Sequence, residues 1–163
     1  MAIIGPNGAG KSTALSLISR LMPMTSGAVR IEGQDITTTA SDALARLMAI
    51  LRQDNQSALR LTVRDLVAFG RFPHSKGRLT EEDRVQVDAA LNYLHLQPLS
   101  ERFLDELSGG QRQRAYIAMV LCQNTRYILF DEPLNNLDMA HAVAMMKLLR
   151  QAVHDTGKTV VVV

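Results

Sequence analysis

The run Gly5-Pro6-Asn7-Gly8-Ala9-Gly10-Lys11-Ser12-Thr13 constrains this chain more than any other stretch, because it meets every position of the phosphate-loop pattern. Glycines at 5, 8 and 10 let the backbone turn sharply and bring successive N–H groups close to phosphate oxygens, where a side chain would obstruct. Lys11 then places a compact positive charge among the terminal phosphates. Ser12 is the expected Mg²⁺ ligand, and Asn7 and Thr13 complete the set expected to line the nucleotide. Ser12 to Leu21 reads as a helix whose positive N-terminal end faces the anion, and Ala2, Ile3 and Ile4 read as the tail of the preceding strand.

The bulk numbers suit a globular chain. At 163 residues one domain is expected, with room for a smaller lobe. With 18 basic against 16 acidic residues the net charge is +2, and no basic run marks a nucleic-acid track, so no nucleic-acid partner is implied. Cys122, the single cysteine, lies in an apolar run, where a buried small hydrophobe is expected rather than a reactive thiol; that usage suits a reducing cytosol. No leader is read ahead of the phosphate loop, and no apolar run of 18 residues is present to cross a bilayer, so membrane association is expected to need a partner.

Both ends of the sequence read as interrupted. The chain starts just before the loop and stops within the β-branched run Lys158 to Val163, so an incomplete sheet with association-prone edges is expected. Between these ends, Ala28 to Glu32 alternates like a half-exposed strand, with Gly33-Gln34-Asp35 as its turn. Ser41 to Leu47 reads as a short helix and Leu47 to Leu51 as a strand. Two readings of Gln53 stand on composition: a solvated loop residue, or a strand-end residue facing the nucleotide.

From Leu61 onward the pattern turns helical. Thr62 can cap a helix carrying Val63, Leu66, Val67 and Phe69, ended by Gly70. A loop from Arg71 to Arg78 follows, with Phe72 either a contact residue or folded back. Thr80 to Asp83 then opens a helix whose apolar face is expected to hold Val85, Ala89 and Leu91 to Leu94. His74 and His95 lack a metal-ligand set around them and are assigned to surface or packing. Residues 61–118 therefore read as a helical lobe inserted into a nucleotide core made of 1–60 and 119–163.

Two further motifs sharpen the chemistry. In Leu107-Ser108-Gly109-Gly110-Gln111 two glycines permit close backbone approach just where a helix begins, which reads as a second anion site or, alternatively, as a helix start capped by Ser108. A second anion-binding turn beside one phosphate loop suggests nucleotide shared between two copies. In Tyr127-Ile128-Leu129-Phe130-Asp131-Glu132-Pro133 a strand carries Asp131 to the sheet end, where its carboxylate can hold Mg²⁺. Glu132, one position on, can orient and activate a water, while Pro133 stops the ladder. Asn135-Asn136-Leu137-Asp138 reads as a polar turn into a helix from Met139 to Val153, with Asp138 either its cap or a contact to a second subunit.

These three ordered motifs, 5–13, 107–111 and 127–133, resemble those of the ATP-binding subunits of ABC transporters, and the resemblance runs over essentially the whole chain. It implies an α/β phosphate-loop NTPase fold with a mostly parallel sheet and an inserted helical lobe. It also implies ATP and Mg²⁺ as cofactors and a head-to-tail dimer in which ATP lies between Lys11 of one copy and Ser108, Gly109, Gly110 and Gln111 of the other. By the same resemblance Gln53 contacts Mg²⁺ and the attacking water, Glu132 is the catalytic base, and Asp138 crosses the dimer interface. An adenine-stacking aromatic is implied ahead of Met1 and a switch histidine beyond Val163.

Within that family, Phe69 to His74 and Asp131 to Asp138 resemble the importers of iron–siderophore complexes and the related vitamin B12 importers. Permease subunits, an extracellular binding protein and a place on the cytoplasmic face of the membrane are implied. An ABC-class ATPase acting on DNA or the ribosome, and a non-catalytic nucleotide-binding scaffold, are the competing readings. The first usually brings a coiled-coil insertion or paired domains, which the sequence lacks, and intact Lys11, Asp131 and Glu132 weigh against the second.

Overall fold

The computed structural model describes residues 1–53, 60–134 and 138–163. Ala2 forms a parallel bridge to Val162, and the phosphate loop leads from there into α1 (Lys11–Ile18). That helix ends before Leu21, because Arg20 turns left-handed (φ 59°) and spends its guanidinium on the following loop. Its Nη1 donates to the carbonyls of Ile36 (2.8 Å) and Thr39 (2.6 Å), and Nη2 donates to Ser41 Oγ (2.8 Å).

A small antiparallel pair follows, β1 (Arg30–Ile31) and β2 (Gln34–Asp35). The turn is Glu32-Gly33, with φ of 54° and 79°, and not the expected Gly33-Gln34-Asp35. Two consecutive left-handed residues close a two-residue hairpin, so Gln34 and Asp35 are released to pair back. Next come α2 (Ser41–Leu47) and β3 (Met48–Leu51), then α3 (Val63–Phe69), the single turn α4 (Phe72–Ser75) and α5 (Glu81–Tyr93). After two short 3₁₀ turns the chain forms α6 (Gly109–Cys122), β4 (Tyr127–Phe130), α7 (Met139–Thr156) and β5 (Thr159–Val162). The strands β3, β4 and β5 lie side by side in that order, all parallel, with Leu51, Phe130 and Val162 level with one another. On its other side β5 hydrogen-bonds to residues 1–3, through Ile3 N–H to the Val162 carbonyl (2.9 Å) and Val162 N–H to the Met1 carbonyl (3.0 Å).

Local caps set the helix starts. Thr62 and Thr80 each accept the N–H of the residue three on, and Asp65 and Asp83 return the bond to the capping residue's own N–H. Gly70 does end α3, but in right-handed backbone, and the reason for glycine is packing: a Cβ there would stand 2.1 Å from the Met119 carbonyl oxygen of α6. On α5 the buried face is Asp83, Val87, Ala90 and Leu91, whereas Val85 and Ala89 face solvent. The helical period was legible, but the phase was set by which side meets α3 and α6.

The apolar side chains form two clusters. The larger joins α3, α5 and α6 to β3, β4 and α7 through Val67, Leu91, Ile117, Ile128, Phe130 and Met145. The smaller packs Leu15 of α1 against Ile36, Leu44, Met48 and Leu129. Cys122 is buried in the first, and desolvation pushes its thiol up to about 12, so it packs as a small hydrophobe.

One ion pair lies inside this packing. Arg71 Nε donates to Asp83 Oδ1 at 2.8 Å with both side chains almost fully buried, and Arg71 Nη1 donates to the Cys122 carbonyl at 3.0 Å. The Thr80 N–H bond and then the Arg71 guanidinium hold the Asp83 carboxyl at about 2, below its ordinary value, against the opposing pull of desolvation. Arg71→Met should lower the unfolding free energy by about 3 kcal/mol, since it strands a buried carboxylate. A folded-state value below the ordinary one means that ionised Asp83 stabilises the fold above the usual carboxylate range, and that this is lost as pH falls through about 2. The stability gap between the parent and Asp83→Asn, from urea titrations, should therefore narrow from pH 4 towards about pH 2. A pH-independent gap would contradict this role.

Candidate functional site

Parallel strands bring their carboxyl ends to one edge of the sheet, and the site is built there. Asp131 follows β4 directly and donates its N–H to the Leu51 carbonyl (2.9 Å), while Glu132 donates its N–H to the Val163 carbonyl (3.1 Å). The phosphate loop reaches the same edge because residues 1–3 run beside β5.

The loop is held by its own lysine. Lys11 Nζ donates to the carbonyls of Gly5 and Pro6, each at 3.0 Å, and the Ala9 N–H bonds back to the Pro6 carbonyl at 3.2 Å. Gly8 and Gly10 take φ of 81° and 85°, which β-carbon-bearing residues adopt only under strain. Gly10 caps α1 without any side-chain cap bond, so the first N–H groups of the helix are left to the loop side. A hollow of about 210 Å³ results, lined by Asn7, Gly8, Gly10, Lys11, Ser12, Thr13 and Glu132. Every one of those residues was singled out from the sequence.

Two acidic side chains meet this loop. Ser12 Oγ donates to Asp131 Oδ1 at 2.7 Å across 119 residues of sequence, and Asp131 is only 7% exposed. Glu132 reaches the rim of the hollow in left-handed backbone, φ 47°, a conformation that costs a residue with a Cβ on the order of 1 kcal/mol. The surrounding hydrogen bonds hold it there.

The other predicted residues stand apart from the hollow. Gln53 is exposed, two positions beyond β3 and on the same sheet edge as Asp131, but it is not in the lining. Ser108, Gly109, Gly110 and Gln111 form the start of α6, likewise outside the lining. Ser108 Oγ accepts the Gln111 N–H (3.3 Å), and Gln111 Oε1 accepts the Ser108 N–H (3.0 Å), so the capping reading of this motif holds as geometry. Among the described residues, a Cβ on Gly109 would meet no atom within 4 Å beyond its own helix backbone and chain neighbours. Asp138 immediately precedes α7, and its carbonyl accepts the Ala142 N–H (2.9 Å), the position of a helix cap. The turn residues Asn135, Asn136 and Leu137 lie outside the described residues.

One contact at this edge had no signal in the sequence. Gln113 of α6 donates Nε2–H to the carbonyl of Pro133 at 2.8 Å. An amide residue on a helix reads as solvated unless its neighbour across the fold is known.

A family profile described as ABC transporter matches residues 1–135, from the phosphate loop through the Asp131-Glu132 strand end. The chain belongs to the ABC transporter family. It is 57% identical over 162 residues to the petrobactin import ATP-binding protein YclP of Bacillus subtilis (strain 168), covering 99% of this chain and 64% of that protein. It is 56% identical over 162 residues to the petrobactin import ATP-binding protein FatE of Bacillus anthracis, covering 99% and 65%. Among solved structures, cbiO1 of Clostridium perfringens, part of the ABC transporter complex cbiONQ, superposes with a TM-score of 0.85 at 29% identity, covering 99% of this chain and 64% of that one. The chain thus spans a little under two thirds of the length of these relatives. The expected fold class, a phosphate-loop NTPase of the ABC type with a parallel sheet and helical insertion, is the one observed.

An ABC-type site implies Mg²⁺ beside the nucleotide, and the residues present fit it. A hydroxyl and a carboxylate, Ser12 and Asp131, already converge through hard oxygen atoms. No group of three or more His, Cys, Asp or Glu residues able to hold a metal occurs among the described residues. A sparse oxygen set suits an ion that keeps water and phosphate oxygens as its remaining ligands.

Proposed function

We propose that this chain binds and hydrolyses ATP to power import of an iron–siderophore complex through separate membrane-spanning permease subunits. The observation that carries the reading is the gathering of Lys11, Ser12 and Glu132 around one hollow at the carboxyl edge of a parallel sheet, with Asp131 bonded to Ser12. The names of the relatives YclP and FatE, both petrobactin importers, support a ferric siderophore as cargo. No described helix is long and apolar enough to cross a membrane. In this reading partner subunits form the transport path, and an extracellular binding protein delivers cargo to them. Residues 1–60 and 119–163 act as the ATPase core, and 61–118 as the helical lobe.

Each residue has a place in the mechanism. Gly5 and Pro6 position the Lys11 ammonium, which turns to the terminal phosphates when nucleotide enters, while the loop and α1 N–H groups, from Asn7 to Thr13, grip the phosphate oxygens. Ser12 and Asp131 would hold Mg²⁺, with Gln53 beyond the end of β3 as a further ligand. Bound there, Mg²⁺ would neutralise charge developing on the phosphate oxygens. Glu132 accepts a proton from the water that attacks the γ-phosphorus, and the phosphorus–oxygen bond to ADP breaks as the new one forms.

The start of α6 completes the site of a second copy. Gly109 has open space where a Cβ would be, and Ser108 keeps its hydroxyl proton to donate, so this exposed helix start suits the γ-phosphate held by a partner's Lys11. Asp138 lies at the contact between the copies.

Ser108→Arg in the full-length subunit, assembled with its permeases, should leave ATP binding in place and abolish ATP-dependent dimerisation and hydrolysis. Analytical ultracentrifugation and phosphate release read the two outcomes. Normal dimers with normal turnover would rule out the shared site.

A further inference from the structure

We propose that Gln113 is a positioning residue that lets α6 set the placement of Glu132. The inference rests on the role assigned above to Glu132 and adds a connection between two motifs of one chain. Glu132 lies in left-handed backbone, φ 47°, which persists only where neighbouring contacts fix it. Among the described residues, two backbone contacts flank it. Upstream, its own N–H is tied to the Val163 carbonyl (3.1 Å); downstream, the Pro133 carbonyl accepts Gln113 Nε2–H (2.8 Å). The first anchor is the sheet. The second is α6.

The helix that carries Gln113 is well placed to transmit a displacement. Ala115, Tyr116, Ile117, Ala118, Val120 and Cys122 are all buried, and α6 is pinned so closely to α3 that Gly70 admits no Cβ beside Met119. From Ala115 onward α6 is packed into the core, and Gln113 lies between that buried part and the exposed helix start. Gln113 lies little more than one turn from Ser108, the residue proposed to meet the partner copy's phosphate. A shift of the helix start on engaging that phosphate therefore reaches the Pro133 carbonyl through one amide, and with it the neighbouring Glu132. Nucleotide in one half of the dimer is thereby sensed at the base of the other half.

The bond joins a neutral donor to a neutral acceptor, so its loss is tested by shape-preserving substitution. Gln113→Met, in the full-length subunit assembled with its permeases, keeps the length of the side chain and removes the donor. Its kcat for ATP should fall about tenfold, the scale of one net intramolecular hydrogen bond lost from the support of the base, with KM changed by less than about twofold. Gln113→Lys, which restores an N–H donor at similar reach, should recover most of the loss, and it also guards against a Met variant that folds poorly.

The decisive arm repeats Gln113→Met in a Glu132→Gln background, read by single-turnover cleavage of labelled ATP. If Gln113 acts through Glu132, the second substitution costs nothing further there. The same tenfold loss in both backgrounds, or an unchanged kcat in the single variant, overturns the inference while leaving the proposed function intact. Near-normal cleavage by Glu132→Gln alone overturns the proposed base itself.

Discussion

Glu132→Gln should retain Mg-ATP binding and lose at least about 100-fold in hydrolysis, measured as single-turnover cleavage at saturating nucleotide in the full-length assembled transporter. The amide keeps the size of the side chain and a hydrogen bond to water, but it has no charge to attract the proton that the attacking water must release. A positioned general base contributes about 10² to 10⁴ in rate, so the loss should be of that order. Ser12 and Asp131 remain bonded to each other and are untouched, which is why binding survives. The variant should accumulate as an ATP-bound dimer, because closure needs nucleotide and opening needs cleavage. Asp131→Asn should behave differently, weakening the Mg²⁺ dependence together with turnover. Cleavage by Glu132→Gln at close to the parent rate would remove Glu132 as the base.

Lys11→Ala should weaken Mg-ATP binding by between about 10- and 100-fold, the range of one hydrogen bond to a charged group. The substitution acts twice. It removes the ammonium proposed to meet the terminal phosphates, and it removes the two bonds to the Gly5 and Pro6 carbonyls that hold the loop in its turn. A loop that must order itself on binding gives up affinity even where its N–H groups are intact. Equilibrium titration of the full-length subunit with nucleotide reads the effect, and an unchanged dissociation constant would contradict the role of Lys11. Because Glu132→Gln spares binding and Lys11→Ala does not, the pair separates the grip on phosphate from the chemistry performed on it.

The features legible in the sequence were those decided within a few residues. Gly8 and Gly10 occupy left-handed backbone as their loop requires, Thr62, Thr80 and Ser108 cap the helices that follow them, and Tyr127–Phe130 is a strand. Ser41–Leu47 likewise has the expected bounds. All seven residues lining the hollow were named in advance: six fall within the run 5–13, whose pattern is a dense local signature, and Glu132 follows the strand that ends at Phe130. Where the expectations erred, the deciding partner was distant. Val85 and Ala89 had the spacing of a buried face but the wrong phase. Gly70 ends α3 as expected, but its close approach to the Met119 carbonyl of α6 had no signal in the sequence.

By itself the sequence determined the chemistry of the loop, the caps, the parallel α/β character and, through three motifs in order, the family. Backbone preferences and side-chain-to-backbone bonds over three or four residues suffice for the local features. The tertiary structure alone decided that Ser12 meets Asp131, that Glu132 turns left-handed onto the rim of the hollow, and that Gln113 reaches Pro133. These depend on the order in which parallel strands lie beside one another and on how closely α6 packs over them. That order is settled by burying two apolar clusters at once, a property of the whole chain that no short window contains.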